Sequence, residues 1–145
     1  MKQFYVAMGA IVESDKGVLV LKRAPEKDFA PDTWEVVTGR LEMGENPEEG
    51  VIREIVEETG IKAKLIMPVH TSFFYRGSEE YPMVFIDFWC RYLDGDVNLS
   101  WEHSEYEWIS LDYALQNPDL KPFHNSFTRI LGLKLHLPSD FSFEG

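Results

Sequence analysis

Short apolar blocks separated by turn residues dominate the chain and read as strands. Phe4 to Glu13 and Val18 to Leu21 form two of them, with Ser14-Asp15-Lys16-Gly17 turning between. Ala24 to Thr33 holds two prolines and several charges and reads as a loop. Trp34 to Thr38 is aromatic and β-branched, a short strand expected to stop at Gly39. Further on, Leu65 to Arg76 and Met83 to Tyr92 are long strand-like runs joined by Gly77-Ser78-Glu79-Glu80. In the second run Val84, Ile86, Phe88 and Cys90 alternate onto one face, the expected buried side of a half-covered sheet.

Helical signals stand at two places. Asn46 is a suitable N-cap, Pro47 suits the first helical position, and Glu49 completes a capping box with Asn46. Gly60 is placed to end that helix in a left-handed cap, so it is expected over about Pro47 to Thr59. Near the C-terminus, Trp108-Ile109 reads as a short strand and Leu111 to Gln116 as a short helix. Ser126 to Leu135 reads as a helix capped by Asn125. Strands flanked by helices on this pattern imply an α/β fold in three layers.

Composition narrows the class. The chain has 145 residues, 44% hydrophobic and 27% charged, with no repeat, low-complexity tract or linker. One domain over the whole length is expected. No apolar run reaches the eighteen residues a membrane helix needs. The segment Met1 to Glu13 lacks the ordered basic, apolar and cleavage regions of a signal peptide. The one cysteine, Cys90, sits in an apolar run and reads as a buried, inert thiol, in keeping with a cytoplasmic protein. A net charge of −11 argues against a long nucleic acid partner, whose phosphates reward a basic face. A small anionic substrate fits only if cations offset its charge.

Candidate chemistry lies on the first helix. Glu54, Glu57 and Glu58 stand at i, i+3 and i+4 and share one stripe at 3.6 residues per turn. Ile52, Ile55 and Val56 are expected on the opposite, packed side. Like charges at this spacing cost only a few tenths of a kcal/mol per pair, so a solvated acidic face explains the stripe equally well when it is read alone. Carboxylates clustered without histidine or cysteine are hard oxygen ligands, suited to Mg²⁺ or Mn²⁺ rather than Zn²⁺.

The surrounding residues decide between these readings. From Gly39 the chain runs five residues to Glu45, then seven to Arg53-Glu54-Ile55-Val56-Glu57-Glu58-Thr59-Gly60-Ile61. This resembles the Nudix box, G-x5-E-x7-R-E-U-x-E-E-x-G-U with U aliphatic, at every specified position. Seven fixed residues at about one in fifteen each make a chance match on the order of one in a million. The resemblance implies a Nudix-type α/β/α sandwich around a mixed sheet and a phosphoanhydride hydrolase dependent on Mg²⁺ or Mn²⁺. It implies Glu54, Glu57 and Glu58 as metal ligands and Arg53 as the residue that orients a glutamate, Glu54 foremost. Glu45 would support the loop and helix from behind them. Gly39 would allow a sharp loop and close approach of backbone to the metal, and Gly60 would close the helix. In some relatives the glutamate corresponding to Glu54 is the general base; in others the base comes from a separate loop.

A loop of that kind is present. Trp101-Glu102-His103-Ser104-Glu105-Tyr106-Glu107-Trp108 resembles the Glu-His…Trp segment of Nudix nucleoside triphosphate and dinucleoside polyphosphate hydrolases. Glu102 holds the place of the acidic residue that reaches the metal or its water, with Glu105 second; His103 reads as a structural polar contact. Lys22 and Arg23, after the second strand, are candidates for substrate phosphates.

Many relatives carry Pro-Gly-Gly where this chain has Val37-Thr38-Gly39. That form resembles bacterial dATP and dihydroneopterin triphosphate pyrophosphohydrolases of the family. Glu42-Met43-Gly44-Glu45 is similar to the members that remove oxidised guanine nucleotides. The leading expectation is a pyrophosphohydrolase of a free nucleoside triphosphate-like substrate, releasing the monophosphate and pyrophosphate. A dinucleoside polyphosphate hydrolase is the second enzymatic reading. A catalytically weak nucleotide-sensing module is the reading from another class, but such modules usually lose box glutamates that this chain keeps. A homodimer is compatible with all three.

Overall fold

A computed structural model describes residues 2–137 of the chain. Seven strands form one mixed sheet. They are β1 (Tyr5–Ser14), β2 (Gly17–Arg23), β3 (Trp34–Glu35), β4 (Val37–Arg40), β5 (Lys62–Tyr75), β6 (Pro82–Asp94) and β7 (His103–Ile109). The main path runs β3-β2-β1-β6-β5, with β4 paired to β1 and β7 to β2. β1 and β6 are parallel and the other pairings antiparallel. Helix α1 (Pro47–Thr59) covers one face; α2 (Leu111–Ala114), a 3₁₀ turn (Pro118–Phe123) and α3 (His124–Leu135) cover the other. This is the α/β/α sandwich.

Both faces of the sheet are buried, which corrects the expectation of a half-covered one. Met8, Ala10, Val12, Leu19, Leu21, Phe88 and Cys90 pack with Val51 and Ile55 of α1. On the other face Ile11, Val18, Val20 and Trp89 pack with Phe123, Phe127 and Ile130. Ile86, Phe88 and Cys90 do share the expected face, but Trp89 between them is also covered, because α3 supplies the second layer. Burial pushes the Cys90 thiol up to about 12, so it is unreactive at neutral pH.

Three local departures matter for the site. The segment expected as one strand from Trp34 divides: β3 pairs with β2 (Leu21↔Glu35) and β4 with β1 (Met8↔Gly39). β1 and β2 pair directly only at Glu13↔Val18 and Ser14↔Gly17, and β3 and β4 fill the gap beyond. Gly39 therefore lies inside β4, not at its stop. The stretch expected as loop after Glu102 is strand β7, because the free edge of β2 gives its backbone a ladder from Val18 to Arg23. Asn125 lies within α3: the 3₁₀ turn feeds straight into the helix, and Phe123 occupies the cap position without a side-chain bond.

Helix α1 has the expected bounds. Gly60 takes φ 73°, and its N–H reaches the Val56 carbonyl at 2.9 Å. The capping box is not formed: the Asn46 side chain donates to Glu49 Oε1 at 3.5 Å and caps no backbone N–H, and the Glu49 N–H bonds the Asn46 carbonyl at 3.0 Å instead. No helix among the described residues is long and apolar enough to cross a membrane.

Candidate active site

Helix α1 meets the sheet along Gly50, Val51, Ile55, Glu58 and Thr59. This corrects the expected packing. Val56 is 52% exposed, whereas Glu58, expected to point away, is only 5% exposed. The reason lies in what it packs against. At Gly39 the strand β4 presents backbone and no side chain, so α1 approaches closely there and brings its carboxylates with it. A Cβ on Gly39 would stand 2.0 Å from the Glu54 carboxyl carbon. The glycine is needed for this approach, not for a turn.

Arg53 organises the acidic stripe. Its Nε and Nη2 donate to the two oxygens of Glu45 at 2.7 and 2.9 Å, and Nη1 donates to Glu54 at 2.9 Å and Glu57 at 3.1 Å. Nη2 also reaches the Arg40 carbonyl at 3.2 Å, tying the helix to the end of β4. The two-pronged bond from Arg53, helped by the Glu42 N–H, holds the Glu45 carboxyl down at about 2. In turn these carboxylates push Arg53 upward. Arg53 thus orients Glu54 as expected, and Glu45 and Glu57 as well.

Glu54 and Glu58 are in the opposite situation. Burial raises Glu54, although Arg53 pulls it down. Glu58 is pushed up to about 9, first by burial and then by the charges of Glu35, Glu54 and Glu102. A backbone bond from Thr38 offsets part of this, but Glu58 Oε2 is buried with no partner. Crowded, desolvated carboxylate oxygens with an unmet acceptor fit a hard divalent cation. Among the described residues no three acid, imidazole or thiolate groups yet stand close enough to hold an ion. Glu57 differs from the other two in exposure: it is bonded to Arg53 and its side chain is 56% exposed.

The remaining expected residues divide into two groups. Glu102 lies within electrostatic reach of both Glu54 and Glu58, and Lys27 Nζ holds its Oε2 at 3.3 Å. Glu105 instead faces Lys22 across the β2–β7 ladder and pairs with it at 3.2 Å. Arg23 is buried: Nη1 reaches both Glu35 oxygens at 3.2 and 3.0 Å, Nε donates to the Phe29 carbonyl, and Nη2 has no partner.

Two residues at the site were missed by sequence reasoning. Glu35 joins Arg23, Thr38 and His103, and its charge acts on Glu58. One signal was available, an acid inside the otherwise apolar run Trp34-Glu35-Val36-Val37. Lys27, bonded to Glu102 and 5.2 Å from the Trp101 ring centroid, carried no such signal. A hollow of about 250 Å³ at the β1–β2 hairpin, lined by Lys16, Arg91, Tyr92 and Trp108, involves none of these groups.

The NUDIX domain model matches residues 3–131. The chain is 33% identical over 124 residues to the 8-oxo-dGTP diphosphatase of Escherichia coli K12, covering 84% of this chain and 91% of that one. It is 30% identical over 132 residues to the nucleoside triphosphatase NudI of Escherichia coli O81, covering 85% and 93%. An octanoyltransferase of Myxococcus xanthus is 35% identical over 102 residues, but this chain spans only 28% of its length. The MutT protein structure from Methanosarcina mazei Go1 superposes with a TM-score of 0.78 at 28% identity, over 94% of this chain and 98% of that one.

The chain belongs to the Nudix family. Within it the protein is a hydrolase of phosphoanhydride bonds, in a family whose members act on small nucleotides and generally depend on a divalent metal.

Proposed function

We propose that this hydrolase is a pyrophosphohydrolase of nucleoside triphosphate-like substrates, dependent on Mg²⁺ or Mn²⁺ and cytoplasmic. It releases nucleoside monophosphate and pyrophosphate. The observation that carries the reading is the partnerless, buried Oε2 of Glu58 beside Glu54, on a helix whose arginine already holds the surrounding acids. The relatives named for triphosphate substrates support the substrate class.

Glu54, Glu57 and Glu58 would hold the metal, with Glu57 turning from Arg53 to complete the set. When bound, the ion neutralises phosphate charge and acidifies a water. Arg53 keeps Glu54 oriented, and its hold on Glu45 anchors the loop before the helix. Glu102 takes a proton from the attacking water, being an acid near Glu54 and Glu58 that Arg53 does not bind. Lys22 would meet substrate phosphates by loosening its pair with Glu105, whereas Arg23, buried against Glu35, stays with that acid instead of reaching the substrate.

The bond cut is an internal anhydride. Cations held by these carboxylates would favour a leaving pyrophosphate, which can chelate them through several oxygens. No glycine-rich Gly-x4-Gly-Lys-Ser/Thr loop is present in the sequence for γ-phosphoryl transfer. Product chromatography from dATP, dGTP and diadenosine tetraphosphate, in ¹⁸O-water with Mg²⁺ or chelator, tests the proposal. Metal-dependent pyrophosphate from the triphosphates is expected. Orthophosphate as their only product would refute it, and a strong preference for the dinucleotide would replace the substrate assignment.

A further inference from the structure

The Glu35 carboxylate joins four strands. It accepts from Arg23 of β2 at 3.2 and 3.0 Å, from Thr38 Oγ1 of β4 at 3.3 Å and from His103 Nε2 of β7 at 2.8 Å. Side-chain exposures of 11% for Arg23, 12% for Glu35 and 1% for His103 put the group almost out of water. An acid this deep is tolerated only when paired, and here a guanidinium, an imidazole and a hydroxyl satisfy it. Because the Glu35 carboxylate accepts, His103 Nε2 donates the ring hydrogen, and Nδ1 is buried without a partner. The imidazole is a strut between β3 and β7.

Backbone pairing already joins β2 to β3 and to β7. What the strut adds is the placement of the residue beside it. The β2–β7 register shifts between Lys22 and Arg23, where the ladder ends at His103. Glu102 comes directly before, its carbonyl bonded by the Ala24 N–H at 2.8 Å. Flanked by that backbone bond and by the anchored His103, and with its side chain held by Lys27 Nζ at 3.3 Å, Glu102 stands where its charge reaches Glu54 and Glu58.

We infer that Glu35 is a positioning residue for hydrolysis, acting through the His103 ring to set Glu102 against the Glu54–Glu58 pair. The inference rests on the reading of Glu102 as the proton acceptor.

A double-mutant cycle on the metal-loaded enzyme tests it, with kcat and KM measured for wild type, Glu35→Gln, Glu102→Gln and the double variant. Glu35→Gln lowers kcat about tenfold or more and leaves KM within about threefold, the mark of an interaction realised in the transition state. In the Glu102→Gln background the same change has less than about a threefold further effect, because the two act as one unit. His103→Gln cuts the strut from its other end and gives the same pattern, also if Glu35→Gln folds poorly. In metal-free protein, the downfield Nε2 proton of His103 moves upfield in Glu35→Gln. A slow Glu102→Gln beside a Glu35→Gln of wild-type kcat overturns the inference alone, as do multiplicative losses in the double variant. A Glu102→Gln of wild-type kcat overturns the proton-acceptor assignment and the inference with it.

Discussion

Gly39 lies so close to Glu54 that a β-carbon on it would stand 2.0 Å from the carboxyl carbon and 2.4 Å from Oε1. Glycine and glutamate are fifteen positions apart in the chain, in a strand and a helix, and one sets where the other can be. The contact is with the far end of a flexible side chain, so the collision can be relieved by moving Glu54 rather than the fold. Gly39→Ala is therefore expected to cost only about 1–3 kcal/mol of stability. Its activity should fall on the order of a hundredfold, since displacing a reacting group by about 1 Å has that effect. Urea unfolding beside steady-state kinetics separates the two. Loss of stability without loss of turnover would remove Glu54 from the site. Adding Glu54→Ala should restore the stability and not the activity.

Glu58 makes metal-free stability depend on pH. Its folded value, about 9, lies above the unfolded 4.5, so the folded state binds the extra proton between those limits. Stability from this group is full below about pH 4.5 and is lost as pH rises, by at most about 1.4 kcal/mol per unit. Glu58→Gln mimics the protonated acid and removes that slope. Relative to wild type, the variant in chelator becomes progressively more stable from pH 5 to 9. Mg²⁺ should stabilise wild type and leave the variant unmoved. Parallel curves for the two proteins would place Glu58 in water and end its assignment.

Glu57 and Glu58 are expected to be equally necessary for activity, for different structural reasons. Glu57→Gln changes an exposed side chain and should leave circular dichroism and thermal unfolding as in wild type. Turnover should nevertheless fall by about a hundredfold or more in both variants, because each removes a carboxylate proposed to hold the metal. Persistence of turnover within a few-fold in a folded variant would show that the ion is held elsewhere.

Arg53 links the site to acid resistance. Its bond lowers Glu45 to about 2, below the unfolded 4.5, so this pair stabilises the fold above about pH 4.5 and stops doing so as pH falls towards 2. Arg53→Lys keeps a charge but cannot hold both oxygens of Glu45 while reaching Glu54. Thermal midpoints measured from pH 7 to 3 should fall less steeply in the variant, with kcat at pH 7 reduced about tenfold or more. An unchanged kcat would mean that Glu54 orients itself without the arginine.

The limits of α1, the box from Gly39 to Ile61 and the alternating strands follow from local rules: proline and glycine mark the helix ends, and apolar spacing marks the elements. Those rules also put Glu54, Glu57 and Glu58 on one side of a helix. They do not say which line of that helix touches the sheet. Packing settled that along Val51, Ile55 and Glu58, turning Val56 to water and Glu58 inward. Spacing likewise left Gly39 as a turn glycine, because its close neighbour Glu54 comes from another element. Glu35, His103, Lys27 and Glu102 show the same division. Resemblance singled out Glu102 and His103 in their segment, but the contacts that hold them, Glu35 to His103 and Lys27 to Glu102, span 68 and 75 positions of chain and are written in no single segment. Periodicity encodes what a residue does within its own element. The effects of desolvation and charge on Glu58 depend on neighbours from β3, α1 and the residue just before β7, and only the folded sheet assembles them.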